Sequence, residues 1–277
     1  MNMYAADLDK AHLQTENAVF LLDESADFNE QLCRDTARVC LNITIFGKEL
    51  NLTIGFLDVP IRICDIIPVA QAICDKIIST TLASAESLGL HIPCKKGCNL
   101  CCKNLIPLSV AEALWLNEEI SRMPGYEQKV LHRSIEFARR KLLATKPPDF
   151  SEKNSKQDVS NWYAGLNLTC PFLAENMCDI YKSRPLACRE HIVTGTRHCD
   201  GTNAQNTQVL KPSVSVLEAV AQLCREFEEN QTDAIMLPIA MEWAESVKST
   251  ESKTYYMSHL LGRLVEILEQ QAGMGQG

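Results

Sequence analysis

The nine residues CKKGCNLCC, positions 94 to 102, hold four of the chain's thirteen cysteines. Thiols crowded this closely are open to three readings: donors of a metal site, partners of a redox couple, or chance neighbours in a cysteine-rich core. Cys98 and Cys101 form a Cys-x2-Cys unit, whose tight turn aims two thiolates at one metal while its amides support the sulfurs. Gly97, just before it, suits a turn with unusual backbone angles. Cys94 is close enough to supply a third ligand. Cys102 differs, because adjacent residues rarely aim both side chains at one small tetrahedral centre. Its sulfur is open to a second metal, to another iron of the same cluster, or to a role as a free reactive thiol.

A second group, TCPFLAENMCDIYKSRPLACREHIVTGTRHC, adds Cys170, Cys178, Cys188 and Cys199 at intervals of seven, nine and ten residues. Such intervals belong to loops that fold back on a centre, and Pro171 and Pro185 stiffen two of them. The remaining cysteines read differently. Cys40, Cys64, Cys74 and Cys224 sit in apolar periodic segments and Cys33 in a polar-to-helical one, so packed or unreactive thiols are expected there.

A tetrathiolate zinc site or an oxidised 4Fe–4S cluster with four thiolates carries a formal charge of about −2. Cations should therefore stand nearby, and Lys95, Lys96, Lys103, Arg184, Arg189 and Arg197 lie in or beside the cysteine segments. Arg184 and Arg189 are the best placed, since they flank Pro185 and Cys188 in a mixed apolar stretch. His191 and His198 could replace a cysteine, with an uncoordinated or hydrogen-bonded histidine as the default. Asp179 and Glu190 default to solvated carboxylates. No Ser-His-Asp set, HExxH helix, paired carboxylates, GxGxxG or Walker loop stands out, so no catalytic residue and no phosphate cradle is assigned.

The elements that must position these thiols are mostly helical. The first 35 or so residues are polar and read as a loosely held extension. VCLNITIFG and ELNLTIGFLDV flank Gly47-Lys48 as a hairpin. DIIPVAQAICDKIISTTLASAESLG carries apolar residues at helical spacing and stops on Gly89, delivering the chain to Cys94. Ser109 and Glu112 form a capping box that opens a helix over 110–122. Met123-Pro124-Gly125 breaks it, and YEQKVLHRSIEFARRKLLATK resumes helical spacing up to Pro147-Pro148. Residues 149 to 169 read as polar loop. Ser215 and Glu218 form a second capping box before a helix through about 229, and TYYMSHLLGRLVEILEQQA closes the chain as an amphipathic helix.

The fold expected is mainly α with a small β-hairpin element and an irregular cysteine-rich centre packed between helices. Three stretches follow: 1–89, extension, hairpin and helix; 90–205, the cysteine-bearing part; and 206–277, a helical segment on the same core. With 46% hydrophobic residues among 277, a core forms without covalent staples. The N-terminus has no basic-then-apolar leader, and no apolar run approaches the roughly 18 to 20 residues that span a bilayer. A cytoplasmic protein is expected, where reducing conditions disfavour structural disulfides. An odd cysteine count also rules out complete internal pairing. The formal charge of −8 argues against nonspecific nucleic-acid binding, which needs a basic face.

CKKGCNLCC followed by PLSVAEA, then CPFL and CDIYKSRPLACRE, resembles the YkgJ-like cysteine-cluster family of zinc- or iron-chelating domains, over roughly residues 90 to 200. The resemblance implies that Cys94, Cys98, Cys101, Cys102, Cys170, Cys178 and Cys188 form the chelating set. Cys199 looks like an additional member found in longer relatives. Flagellin lysine-N-methylases carry a similar module associated with an iron–sulfur cluster, but no methyl-donor site is recognisable in this chain.

The leading expectation is a metal-binding protein holding an iron–sulfur cluster, 4Fe–4S among the forms, or zinc. Iron–sulfur is preferred, because eight thiols exceed what one structural zinc needs and the adjacent Cys101-Cys102 pair suits several irons. Two zinc sites of four cysteines would use the same thiols. The alternatives are a metal-cluster-dependent enzyme modifying a protein or small substrate, for instance by methyl transfer, and a thiol redox sensor cycling Cys98 and Cys101 through a disulfide. The partner expected is the metal ion or cluster, with a protein partner left open and neither nucleic acid nor membrane.

Overall fold

Alternation of apolar and polar residues in ARVCLNITI and KELNLTIGF builds the long hairpin. The computed structural model describes residues 10–14, 19–23, 37–146, 148, 156–195, 208–228, 232, 234–247 and 253–274. Two short strands, β1 (Lys10–Gln14) and β2 (Val19–Asp23), precede β3 (Ala37–Ile45) and β4 (Lys48–Phe56). The four form one antiparallel sheet in the order β1-β2-β4-β3. The hairpin turns at Phe46 and Gly47, both with positive φ, the primed geometry that matches strand twist. Leu41, Ile43, Ile45, Leu50, Leu52 and Ile54 face the core, every second residue on each strand. The extension expected at the N-terminus thus contributes β1 and β2 to the sheet. Five-residue strands such as KAHLQ are too short for the period-2 pattern to stand out in a polar context.

After β5 (Pro60–Ile61) and a 3-10 turn over Ile63–Ile66, α1 (Ile67–Ser87) runs through the middle of the protein. Ile66, Ile67, Ile73 and Ile77 are fully buried, each stabilising the fold by about 1.5–3 kcal/mol relative to exposure. It ends in a Schellman motif: Gly89 has φ +77°, its amide donates to Glu86 O and the Leu90 amide to Ala85 O. By length and composition the Ile63–Ser87 stretch could cross a bilayer, which the expectation of no such run missed. Here most of it is buried against the sheet and its neighbouring helices, as the core helix of the fold.

β6 (Pro107–Leu108) leads into α2 (Val110–Ser121), with both halves of the Ser109–Glu112 capping box formed. Pro124 caps α3 (Gly125–Leu143). The stretch expected as loop over 149–169 contains α4 (Lys156–Gly165). Its sequence signal is weak but readable: Tyr163 and Leu166, with Leu168 beyond, bury against Ala138 and Leu142 of α3 in a small second cluster.

β7 (Leu173–Ala174) and β8 (Met177–Cys178) form a tiny hairpin, followed by α5 (Leu186–Glu190) and β9 (Ile192–Thr194). β10 (Gln208–Leu210) pairs with β9, and α6 (Val216–Glu228) follows. Ser215 Oγ accepts from the Glu218 amide, but the Ser215 amide goes to Gln271 Oε1, so the second capping box is only half formed. β11 (Ile235–Met236) pairs with β6 and opens α7 (Leu237–Val247). β12 (Tyr255–Tyr256) pairs with β5 and opens α8 (Met257–Met274), which lies across β3. These two-residue ladders clip loops that are distant in sequence. The result is mainly α with small β elements, as expected.

Candidate metal centre

The cysteine-bearing stretch from Cys94 is built from tight turns. The Cys98 amide donates to Lys95 O, with Gly97 at φ +88° making that turn possible. A single 3-10 turn, Leu100–Lys103, then carries Cys101 and Cys102. The second stretch is folded by its own turns. Glu175 and Asn176 both take positive φ in the β7–β8 turn, which pairs Cys178 with Leu173. Pro185 caps α5, and the Cys188 amide donates back to Pro185 O.

Among the described residues, hydrogen bonds join the two stretches at four places. The Cys170 amide donates to Cys102 O at 2.7 Å, and the Gly195 amide to His91 O at 3.1 Å. Asn99 Nδ2 donates to Asn176 Oδ1 at 2.7 Å. The Val193 amide donates to Cys94 Sγ at 3.5 Å, a contact that supports sulfur charge. Residues about 70 to 100 positions apart are thereby held as one loop cluster.

Cys101, Cys102, Cys170, Cys178 and Cys188 lie close enough to influence one another electrostatically. All seven described members of the expected set are partly buried. Among the described residues, no three His, Cys, Asp or Glu side chains already stand as a ligand set for one ion. The thiols are gathered, but not closed around a point. Cys199, His198 and Arg197 lie outside the described residues, as does Cys33.

Burial pushes the Cys170 thiol up to about 12 and raises Cys188 and Cys178 as well. Cys101 moves the other way, because a hydrogen bond from Cys102 stabilises its thiolate, and Cys102 is raised correspondingly. Arg184 is the nearby cation: its charge favours the thiolates of Cys101, Cys178 and Cys188. Its guanidinium stacks on Tyr181 at 4.4 Å, with Lys96 Nζ 5.5 Å from the same ring. Arg189, the other cation expected beside the thiols, is 5% exposed and does structural work instead. It pairs with Asp75 at 2.6 Å, donates to Gln71 Oε1, and donates to the carbonyls of Arg184 and Lys182.

Two positioning residues, Tyr181 and Asp75, and one long-range role, that of Glu112, are not legible in the sequence. Glu112 completes the α2 capping box and also accepts from the Leu186 amide at 2.8 Å, fixing the start of the helix that carries Cys188. Its capping role was legible, but its reach across 74 residues was not. Tyr181 and Asp75 gave no signal of their own. Glu190, expected as solvated, is largely buried. It accepts from Ser215 Oγ at 2.7 Å and from the Leu217 amide at 3.0 Å, and burial raises its carboxyl.

Glu190 and His191 line a cleft of about 520 Å³, with Leu105, Pro107, Lys211 and Gln271 among its walls. None of the seven described candidate cysteines lines it. Of the other cysteines, Cys64, Cys74 and Cys224 are buried as expected. Cys40 is exposed, because it falls on the solvent side of the β3 alternation, 3.9 Å from Thr53 on β4.

The donor chemistry fits a thiophilic metal: partly buried sulfurs, a cation beside them, and two supporting backbone stretches tied together. Residues 93–251 match a family model, CxxCxxCC, described as "Putative zinc- or iron-chelating domain". No curated protein and no solved structure matches the chain.

Proposed function

Because the chain belongs to the CxxCxxCC family of zinc- or iron-chelating domains, we propose that its two cysteine stretches form one thiolate centre that holds an iron–sulfur cluster. Cys94, Cys98, Cys101, Cys102, Cys170, Cys178 and Cys188 are the proposed ligand pool, with Cys199 as an eighth. The observation that carries this reading is the Cys170 amide bond to Cys102 O, which seats the second stretch directly on the adjacent pair of the first. Five neighbouring thiols, Cys101, Cys102, Cys170, Cys178 and Cys188, with Cys94 and Cys98 in the same loop cluster, exceed the four of a structural zinc site and favour a centre with more than one metal. A bound metal would draw the sulfurs inward and displace their protons. A cytoplasmic setting, which keeps thiols reduced, suits such a centre.

Anaerobic purification with iron, zinc and acid-labile sulfide analysis tests the assignment. Iron and sulfide in stoichiometric amounts, with broad visible absorption, are expected. A colourless protein with stoichiometric zinc and no iron reassigns the centre to zinc.

A second reading, a metal-dependent enzyme, is favoured by the cleft that abuts α5. Ligand-observed NMR of a small-molecule library on metal-loaded and metal-free protein tests it. Binding at Glu190 and His191 confined to the loaded form supports it, and no binding in either form removes it.

A further inference from the structure

Helix α3 has two apolar faces, and among the described residues only one of them is packed into a core. Leu131, Ile135, Ala138 and Leu142 are buried at helical spacing against the core and α4. On the opposite side Tyr126, Val130 and Phe137 follow one another at intervals of four and seven residues. At about 100° per residue they share a narrow stripe. They are 80%, 45% and 67% exposed, although a solvent-facing stripe of a core-packed helix is ordinarily polar.

The charge along this helix is also against the trend of the chain. α3 carries five Lys and Arg against two Glu, in a protein of formal charge −8. Glu136 is taken up by Arg139 and Arg140. Lys129 and Arg133 are exposed, and they flank the stripe between Tyr126 and Phe137. Apolar anchors edged by cations select a ligand with apolar side chains edged by anions.

We propose that the outer face of α3 docks an acidic amphipathic segment of a partner protein. Tyr126, Val130 and Phe137 would supply the buried contacts, and Lys129 and Arg133 would pair with its carboxylates. Large aromatic residues commonly supply the centre of such interfaces. The occupant is a protein segment because three side chains on one helix offer little insertion into a bilayer, and the net negative charge of the chain opposes an anionic lipid surface. None of these five residues is a proposed metal ligand, so the inference does not rest on which metal the cysteines hold.

The test places a photocrosslinking p-benzoylphenylalanine at Phe137 in the full chain, expressed in its own cells, and identifies adducts by mass spectrometry. The expected adduct carries a partner segment in which Asp or Glu flank apolar residues. The double reversal K129E and R133E should lower its yield about fivefold or more. Both residues are exposed, and an unchanged melting curve confirms that the double variant is folded. An adduct insensitive to the reversal, an adduct on lipid, on a second copy or within the same chain, or no adduct at all overturns the proposal.

Discussion

The amide of Cys170 donates a 2.7 Å hydrogen bond to the carbonyl of Cys102, 68 residues earlier, so the two cysteine stretches meet through their backbones before any metal is considered. The bond leaves both sulfurs available, and the surrounding thiols of Cys101, Cys178 and Cys188 are near enough to influence each other's charge. If this is one centre, losing a thiol from either stretch should have the same consequence. C101A and C170A are each expected to lower bound metal by about half or more. C40A, on the solvent side of the sheet, should leave it unchanged. Elemental analysis of the three variants purified in parallel checks this, and retention of metal in C170A would mean the second stretch is not part of the centre.

Much of the scaffold was legible because its signals are local. The Ser109–Glu112 box, the Gly89 stop and the Pro124 break each act within a few residues, and α1, α2 and α3 follow them. β1 and β2 were missed because a five-residue strand shows its pattern only against a partner, here β4 and each other. α4 was missed because its polar surface outweighs the residues that bury against α3. At the site, residue identity was legible but role was not. Arg184 and Arg189 look alike beside Cys188. Only the fold shows that Arg189 is occupied by Asp75 and Gln71 while Arg184 faces the thiols.

Glu112 links helix α2 to helix α5, accepting from the Ser109 amide, Ser109 Oγ and the Leu186 amide. E112A strips an N-cap partner and leaves the buried Leu186 amide unsatisfied, which should cost about 2–4 kcal/mol. Urea denaturation reads that loss. The same variant should also bind metal less tightly, since Leu186 begins the helix carrying Cys188. E112Q keeps an acceptor oxygen and should fall between E112A and the natural chain in both measurements.

Metal removal should act on the loop cluster more than on the helical core. Binding to the folded state alone stabilises it by mass action. The sulfurs are gathered without being closed around one point, so chelation should loosen residues 94–104 and 170–195 first. Hydrogen exchange followed by mass spectrometry is expected to show increased exchange there, while α1 and α8 stay protected. Equal loss throughout would mean that the metal holds the whole fold.

Arg263 grips Glu226 through two bonds, Nε to Oε2 at 2.7 Å and Nη2 to Oε1 at 2.9 Å, joining α8 to α6. This pairing lowers the Glu226 carboxyl to about 2. A carboxyl depressed on folding adds stability above its unfolded value, near 4.5, and loses that contribution as pH falls toward 2. The pair is solvent-exposed and screened, so E226Q should cost only about 0.5–1 kcal/mol at pH 7. The gap between E226Q and the natural chain should shrink at pH 3 and in high salt. Denaturation curves at the two pH values measure it, and a gap that is unchanged at pH 3 would show that the charge contributes nothing.

Arg184 offers the sharpest separation of charge from packing at the centre. Its guanidinium both stacks on Tyr181 and favours thiolates at Cys101, Cys178 and Cys188. A metal–thiolate centre accumulates negative charge, and removing a neighbouring cation destabilises it most in its most reduced form. R184M, which keeps the length of the side chain without its charge, is therefore expected to weaken metal retention about tenfold in competition with a chelator. If the centre is an iron–sulfur cluster, R184M should also shift its reduction potential negative. R184K restores the charge but not the guanidinium contact with the Tyr181 ring. Near-normal retention in R184K assigns the effect to charge, whereas equal losses in both variants would assign Arg184 to holding the Tyr181 loop in place.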